Sequence, residues 1–292
     1  MPRWITVAAA QMGPINEGTG REEVVVRMLA LLEQAARQGV EVLVFPEMAL
    51  TPYFPKRIRE DYDHFFETEI PPKALEPLLR AAGRAGVVCH VGFCEKAGAR
   101  RFNTALLSDE TGAVAGIYRK IHLPGQPTPD GVAQVYEVRY FESGDTGFRV
   151  FPTKKAQLGI AICQDRRYPE TWRSLGLLGA EIAVIGYNTP ASVQALELSE
   201  LVMRAGAYEN HLFIVASAKA GVEDGLELIG GSCVIGPLGQ VLARAATTGD
   251  EVIAARIDLD WAAGPRARWG FFARRRPEHY GAITAPARSS TR

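Results

Sequence analysis

Twice along this chain an apolar strand gives way to an amphipathic helix and then to another apolar strand, and that alternation confines it to an α/β architecture. The first set starts with a strand over Ile5 to Ala10. Thr19-Gly20-Arg21-Glu22 then offers a capping box for a helix with Val25, Met28, Leu29, Leu32 and Ala36 on one face, ended by Gly39. A strand from Glu41 to Phe45 follows. A second helix carrying Leu75, Leu78, Leu79 and Ala82 stops near Gly86, before the strand Val87 to Phe93. The order is β-α-β-α-β. Thr104 to Leu107 and Val114 to Tyr118 flank Asp109-Glu110-Thr111-Gly112 and read as a hairpin.

The second set begins with strands near Phe148 to Phe151 and Leu158 to Ile162. It continues through a helix from Pro169 to Leu178, the strand Ile182 to Ile185, a helix from Leu196 to Tyr208 and the strand Phe213 to Ala218. A hairpin across Pro237-Leu238-Gly239 pairs Cys233 to Ile235 with Gln240 to Ala245. No linker rich in Ser, Gly or Pro separates the sets, and 47% hydrophobic residues over 292 positions supply a large core. Residues 1-284 are therefore expected to form one domain of two packed sheets with helices outside, and 285-292 a frayed tail. The long loop from His122 to Glu142 mixes Pro, Gly and aromatics, which suits a site-lining segment.

Thirty-three basic residues balance thirty-three acidic ones, so no overall field draws the chain to nucleic acid or to an anionic membrane surface. The expected partner is a small molecule. Met1-Pro2-Arg3-Trp4 leads straight into a strand without the regions of a secretory signal, and no apolar run is long enough to span a bilayer, so a cytoplasmic location is expected. Cys89, Cys94, Cys163 and Cys233 lie mostly in apolar strands, which argues for reduced thiols and against a disulfide framework or a metal site. Dinucleotide and phosphate-loop fingerprints are missing, as are His-Glu-x-x-His and a complete G-x-S-x-G elbow, and no cofactor is expected.

Chemistry concentrates where Gly159-Ile160-Ala161-Ile162 runs into Cys163-Gln164-Asp165-Arg166-Arg167. A thiol at a strand end, with main-chain N–H groups around it, suits nucleophilic catalysis, although a small buried hydrophobe is the commoner fate of a free cysteine. Two charged groups occupy equivalent places. Glu47 follows the strand ending in Phe45-Pro46, amid apolar neighbours that push a carboxyl toward the range of a general base, and Lys120 follows the strand Val114 to Arg119. Taken singly, a solvated acid and a surface lysine explain them as well.

Together, Phe45-Pro46-Glu47, Tyr118-Arg119-Lys120-Ile121-His122-Leu123 and Ile162-Cys163-Gln164-Asp165 resemble the Glu, Lys and Cys signatures of the nitrilase superfamily, over about Ile5 to Tyr280. The resemblance implies a four-layer αββα sandwich. It also implies that Glu47 takes the proton of Cys163, that the thiolate attacks a carbonyl carbon, and that Lys120 with the N–H of Gln164 holds the oxyanion. Glu137 falls at the family's supporting carboxylate. Within the superfamily the chain is most similar to N-carbamoyl-D-amino acid amidohydrolases, through Cys163 to Glu170, Gly186-Tyr187-Asn188-Thr189-Pro190, Arg101-Phe102-Asn103-Thr104 and Pro277-Glu278-His279-Tyr280-Gly281. That likeness implies a carboxylate-bearing substrate met by Arg166 or Arg167, with Asn188 and Thr189 orienting it and His122 beside Lys120. The arginine fork suits a carboxylate, whereas a salt bridge to Asp165 or Glu170 is the plainer use of the pair. A homodimer or homotetramer is implied as well, with Arg266, Arg268, Trp269, Phe271 and Phe272 suited to its interface.

The chain departs from that pattern at Gln164, where the family has Asn, and at Val135, where it has His. It also lacks the His-rich insertion after Asn188-Thr189-Pro190. A shifted substrate range follows from these changes. Another amidase of the superfamily or a β-ureido acid hydrolase is the alternative enzyme, and a catalytically silent binding protein of the same fold is the alternative outside enzymes.

Overall fold

The computed structural model describes residues 2–125 and 135–287. Part of the long loop (126–134) and most of the expected tail (288–292) thus lie outside the described residues. Strands β1 (Trp4–Gln11), β2 (Val42–Val44) and β3 (Val88–Ala97) are parallel neighbours, connected by helices α1 (Arg21–Arg37) and α2 (Glu76–Ala85). β3 reverses onto β4 (Arg100–Ser108), and β4 onto β5 (Val114–Arg119), both antiparallel. A helical turn, α3 (Glu137–Tyr140), precedes the second set, β6 (Val150–Pro152), β7 (Gln157–Ile162), α4 (Pro169–Leu177), β8 (Ile182–Tyr187), α5 (Ala195–Asn210) and β9 (Phe213–Ala218). Here β7, β8 and β9 are the parallel trio.

Next come a small hairpin of β10 (Ala220–Glu223) and β11 (Leu226–Ile229), then β12 (Cys233–Ile235), β13 (Val241–Arg244) and β14 (Glu251–Asp258). Two six-stranded sheets result, ordered β14-β1-β2-β3-β4-β5 and β13-β12-β9-β8-β7-β6. The C-terminal part adds the short helices α6 (Ala263–Trp269) and α7 (Gly281–Thr284).

Side-chain alternation along the strands builds the layers. Val7, Ala9, Val42 and Val44 enter the core shared with the second sheet, while Ala8, Ala10, Leu43 and Phe45 pack against Met28, Leu32, Leu78 and Leu79 of α1 and α2. On the far side, Trp172, Leu175, Met203 and Ala207 of α4 and α5 cover the second sheet. The architecture is the αββα sandwich.

The structure departs from expectation at the start of α1 and adds a strand, β14, to the first sheet. The capping box at Thr19 does not form: Gly20 caps α1 without a side-chain bond, and Glu22 and Glu23 in the first turn favour the helix electrostatically instead. β14 was not anticipated, nor was the pairing that runs it along β1 from Trp4↔Asp258 to Gln11↔Glu251. Its Glu251, Arg256 and Asp258 interrupt the apolar pattern, as befits an edge strand. Within the chain, Trp269 and Phe271 pack on Tyr208 and His211, and Arg266 donates to the carbonyls of Ala180 and His211.

Candidate active site

The site assembles where β2, β5, β7 and β8 end. β7 is buried through Ile162, and the chain then turns sharply: Cys163 has φ of 42°, in the left-handed region that side chains other than glycine seldom adopt. The turn continues as a short 3₁₀ segment, Cys163–Arg167. Asp165 holds it closed. Its Oδ2 accepts the Ile162 N–H (3.0 Å) and the Tyr118 hydroxyl (2.8 Å), and its Oδ1 accepts the N–H (3.1 Å) and Nδ1–H (2.7 Å) of His122.

Glu47, Lys120 and Glu137 are brought together with no exposure at all. Lys120 Nζ donates to Glu47 Oε1 and to Glu137 Oε2, each at 2.7 Å. Asn103 of β4 donates to the same two carboxylates, at 2.7 and 3.3 Å, and Tyr53 donates its hydroxyl to Glu137 Oε1 at 2.7 Å. The remaining oxygen of Glu47 accepts the Asn188 N–H (2.9 Å), while Asn188 Nδ2 donates to the Glu47 carbonyl (2.8 Å). The Cys163 thiol in turn donates to the Asn188 carbonyl at 3.3 Å, so Asn188 bridges the thiol and the carboxylate.

Burial pushes the Cys163 thiol up, Glu47 adds to that, and Lys120 and Arg166 oppose it. The resting sulfur is therefore a thiol that needs a base. Burial also works against charge on Lys120, but the groups around it, Cys163, Glu137 and Glu47, prevail and raise its pKa. Glu137 is pushed up to about 7 by burial and by Glu47, with Lys120 opposing. One lysine charge thus faces two carboxyls, one of which holds its proton near neutrality.

The folded chain consequently keeps a proton on Glu137 that the unfolded chain gives up near the ordinary value of 4.5. The stability from this group is fully present below pH 4.5 and is lost as pH rises through about 7. Glu137→Gln is expected to flatten that decline, as read from urea unfolding midpoints across the same interval.

Two glycines admit the Pro46-Glu47 segment between the sheets. A Cβ on Gly186 of β8 would lie 2.5 Å from Glu47 N, and one on Gly92 of β3 would lie 2.7 Å from Glu47 Cα. Gly186→Ala is expected to cost about 1–3 kcal/mol through overpacking against main chain. Displacing Glu47 should also lower kcat at least about tenfold. Thermal unfolding and initial rates check both.

Above the thiol lies a cavity of about 300 Å³ lined by Tyr53, Gln164, Arg167, Asn188, Thr189 and Leu198, among others. Arg166 is 1% exposed at its wall. Among the described residues Arg167 has no hydrogen-bond or ionic partner, and neither arginine bonds Asp165 or Glu170. His122, expected at the substrate, does not line the cavity. Its ring is stacked 3.7 Å from Tyr168 and tied to Asp165, so it shapes the turn. Asn188 and Thr189 do line the cavity, but the side chain of Asn188 is held by Glu47 and that of Thr189 by Arg166.

Sequence reasoning did not assign roles to Tyr53, Asn103, Asp165 or Ser199; only Asn103 and Asp165 stood inside quoted motifs. Among the described residues, no cluster of His, Cys, Asp and Glu could hold a metal ion. No helix among them is long and apolar enough to cross a membrane.

Residues 6–265 match the family described as carbon-nitrogen hydrolase. The chain belongs to the carbon–nitrogen hydrolase family. It is 33% identical to the N-carbamoylputrescine amidase of Arabidopsis thaliana over 266 residues, 86% of each chain. Identity to the citrullinase of Francisella tularensis subsp. tularensis is 31% over 292 residues, covering 96% of this chain and 98% of the relative. The crystal structure of a carbon–nitrogen hydrolase from Helicobacter pylori G27 superposes with a TM-score of 0.87 at 28% identity, covering 97% of this chain and 99% of the other. This carbon–nitrogen hydrolase is thus related over nearly its whole length to enzymes named for ureido compounds.

Proposed function

We propose that the protein hydrolyses the C–N bond of a small compound with a terminal ureido group and a carboxylate. The observation that carries this reading is the joining of Cys163, Glu47 and Lys120 beneath a cavity whose wall presents Arg167 with no partner among the described residues. Glu47 accepts the thiol proton as sulfur attacks the carbamoyl carbon, and Lys120 with the Gln164 N–H stabilises the oxyanion. Glu47 returns the proton to the departing nitrogen, which leaves a carbamoyl thioester on Cys163. Water, giving its proton to Glu47, displaces the sulfur. The thiol is restored and the carbamic acid falls to carbon dioxide and ammonia.

The relatives' names favour this over the narrower expectation of an N-carbamoyl-D-amino acid. N-carbamoylputrescine and citrulline both carry the ureido group at the end of an alkyl chain, and citrulline adds a carboxylate. Of the two, a cationic amine suits the cavity less well, because Arg166 and Arg167 line it.

The test compares ammonia release from citrulline, N-carbamoyl-β-alanine, N-carbamoylputrescine, N-carbamoyl-D- and L-phenylalanine and simple amides. A ureido acid turned over fastest, with KM raised about tenfold or more by Arg167→Gln, is the expected result. Fastest turnover of N-carbamoyl-D-phenylalanine would restore the narrower reading, and fastest turnover of N-carbamoylputrescine would remove the carboxylate from the proposal. Self-association belongs to the same reading, supported by Leu177, Leu178, Leu198 and Leu201 standing exposed on and beside α4 and α5. Light scattering in solution checks it.

A further inference from the structure

Arg166 and Arg167 are adjacent and chemically identical, yet the turn at Cys163 sends them to different surroundings. Arg166 is buried beneath the nucleophile, its guanidinium held on every side by protein. Nη1 donates to the Cys163 carbonyl at 2.7 Å and lies 3.5 Å from the sulfur. Nε donates to Ser199 Oγ of α5 at 3.0 Å, and Nη2 to Thr189 Oγ1 at 2.7 Å. The guanidinium carbon lies 4.7 Å from the centre of the Tyr187 ring, and the Arg166 carbonyl accepts the Trp172 indole N–H at 2.9 Å. A fork engaged at three acceptors and against an aromatic face has little capacity left for a substrate carboxylate.

We infer that Arg166 is a positioning residue for the nucleophile, fixing the carbonyl and charge environment of Cys163, and that Arg167 alone of the pair is left to meet the substrate. The main chain at Cys163 needs such a hold. Its left-handed conformation costs on the order of 1 kcal/mol or more, and it persists only where neighbours over-determine it. The bond from Arg166 to the Cys163 carbonyl is charge-assisted, the stronger class of hydrogen bond. Ser199 and Thr189 set the guanidinium from α5 and from the end of β8, so the turn is braced against two separate elements.

The charge also acts on sulfur. The groups facing Cys163 are Glu47 after β2, Tyr53, Lys120 after β5, Glu137 of α3, Tyr187 of β8 and the two arginines. Among them Lys120 and Arg166 pull the thiol down against burial and the carboxylates. Removing Arg166 therefore makes the thiolate harder to form, whatever the substrate carries.

This inference rests on Cys163 being the nucleophile, and the experiment separates the two. Iodoacetamide alkylation is followed against pH alongside kcat and KM for a ureido acid and for its analogue without the carboxylate. Cys163 is the cysteine at the cavity; Cys89 and Cys233 are buried and pushed up to about 12. Arg166→Gln should move the alkylation midpoint up by about one pH unit. It should also lower kcat roughly ten- to a hundredfold for both substrates and leave KM within about threefold. Arg166→Lys should keep the midpoint near that of the parent while kcat stays low, because it supplies charge without the fork.

A rise in KM of about tenfold or more confined to the carboxylate substrate, with the alkylation midpoint unmoved, would make Arg166 a substrate ligand and overturn the inference. Should Arg166→Gln not fold, Ser199→Ala loosens the same guanidinium and should shift midpoint and kcat in the same directions by less. No change in either would equally overturn it. Turnover that survives complete alkylation of Cys163 would instead refute the nucleophile itself.

Discussion

Cys163→Ala is expected to lose turnover by at least about ten-thousandfold, while its thermal unfolding stays within a few degrees of the parent. The sulfur makes one weak donor bond, to the Asn188 carbonyl, so removing it disturbs little that holds the turn. Asp165 and Arg166 brace that turn through main-chain and side-chain groups the substitution leaves in place. The folded but inert variant should still bind substrate, which a rise in unfolding temperature with added ureido acid would reveal. Residual activity near that of the parent would exclude a thiol mechanism.

Lys120→Met should cost both activity and stability. Lys120 is the cation between two fully buried carboxyls, and removing one partner of such a group while leaving the others is destabilising by about 3–5 kcal/mol. The same ammonium is the proposed oxyanion partner, and loss of one such donor lowers kcat about a hundred- to a thousandfold. The two effects separate by pH. Without the lysine charge, Glu137 rises further above its already raised position, so the variant should recover stability as pH falls and lose it steeply above neutrality. Urea unfolding at pH 5 and at pH 8 reads this difference. An equal loss at both pH values would show that the lysine matters through packing and not through charge.

The sequence made legible what depends on strand ends. Glu47, Lys120 and Cys163 each follow a strand, and the carboxyl ends of strands are where sites in α/β sheets assemble. Legibility ended where backbone conformation decides. Nothing in Arg166-Arg167 tells which arginine turns inward; that depends on the positive φ at Cys163 and on Ser199, which lies thirty-three positions further along the chain. Asn188 was expected at the substrate carboxylate, and its hold on Glu47 escaped because the two lie 141 positions apart. β14 escaped for another reason. An edge strand needs apolar residues on one face only, and its charged positions masked the period.

The pairing of β14 with β1 also bears on how the protein is made. β1 is matched, from Trp4 to Gln11, with β14, which leaves the ribosome only after every residue of the site. Until β14 emerges the nascent chain carries an open β1 edge, able to hydrogen-bond with any extended segment it meets. Premature termination before residue 251 would leave that edge permanently bare, so truncated products should aggregate even where every site residue has already been made.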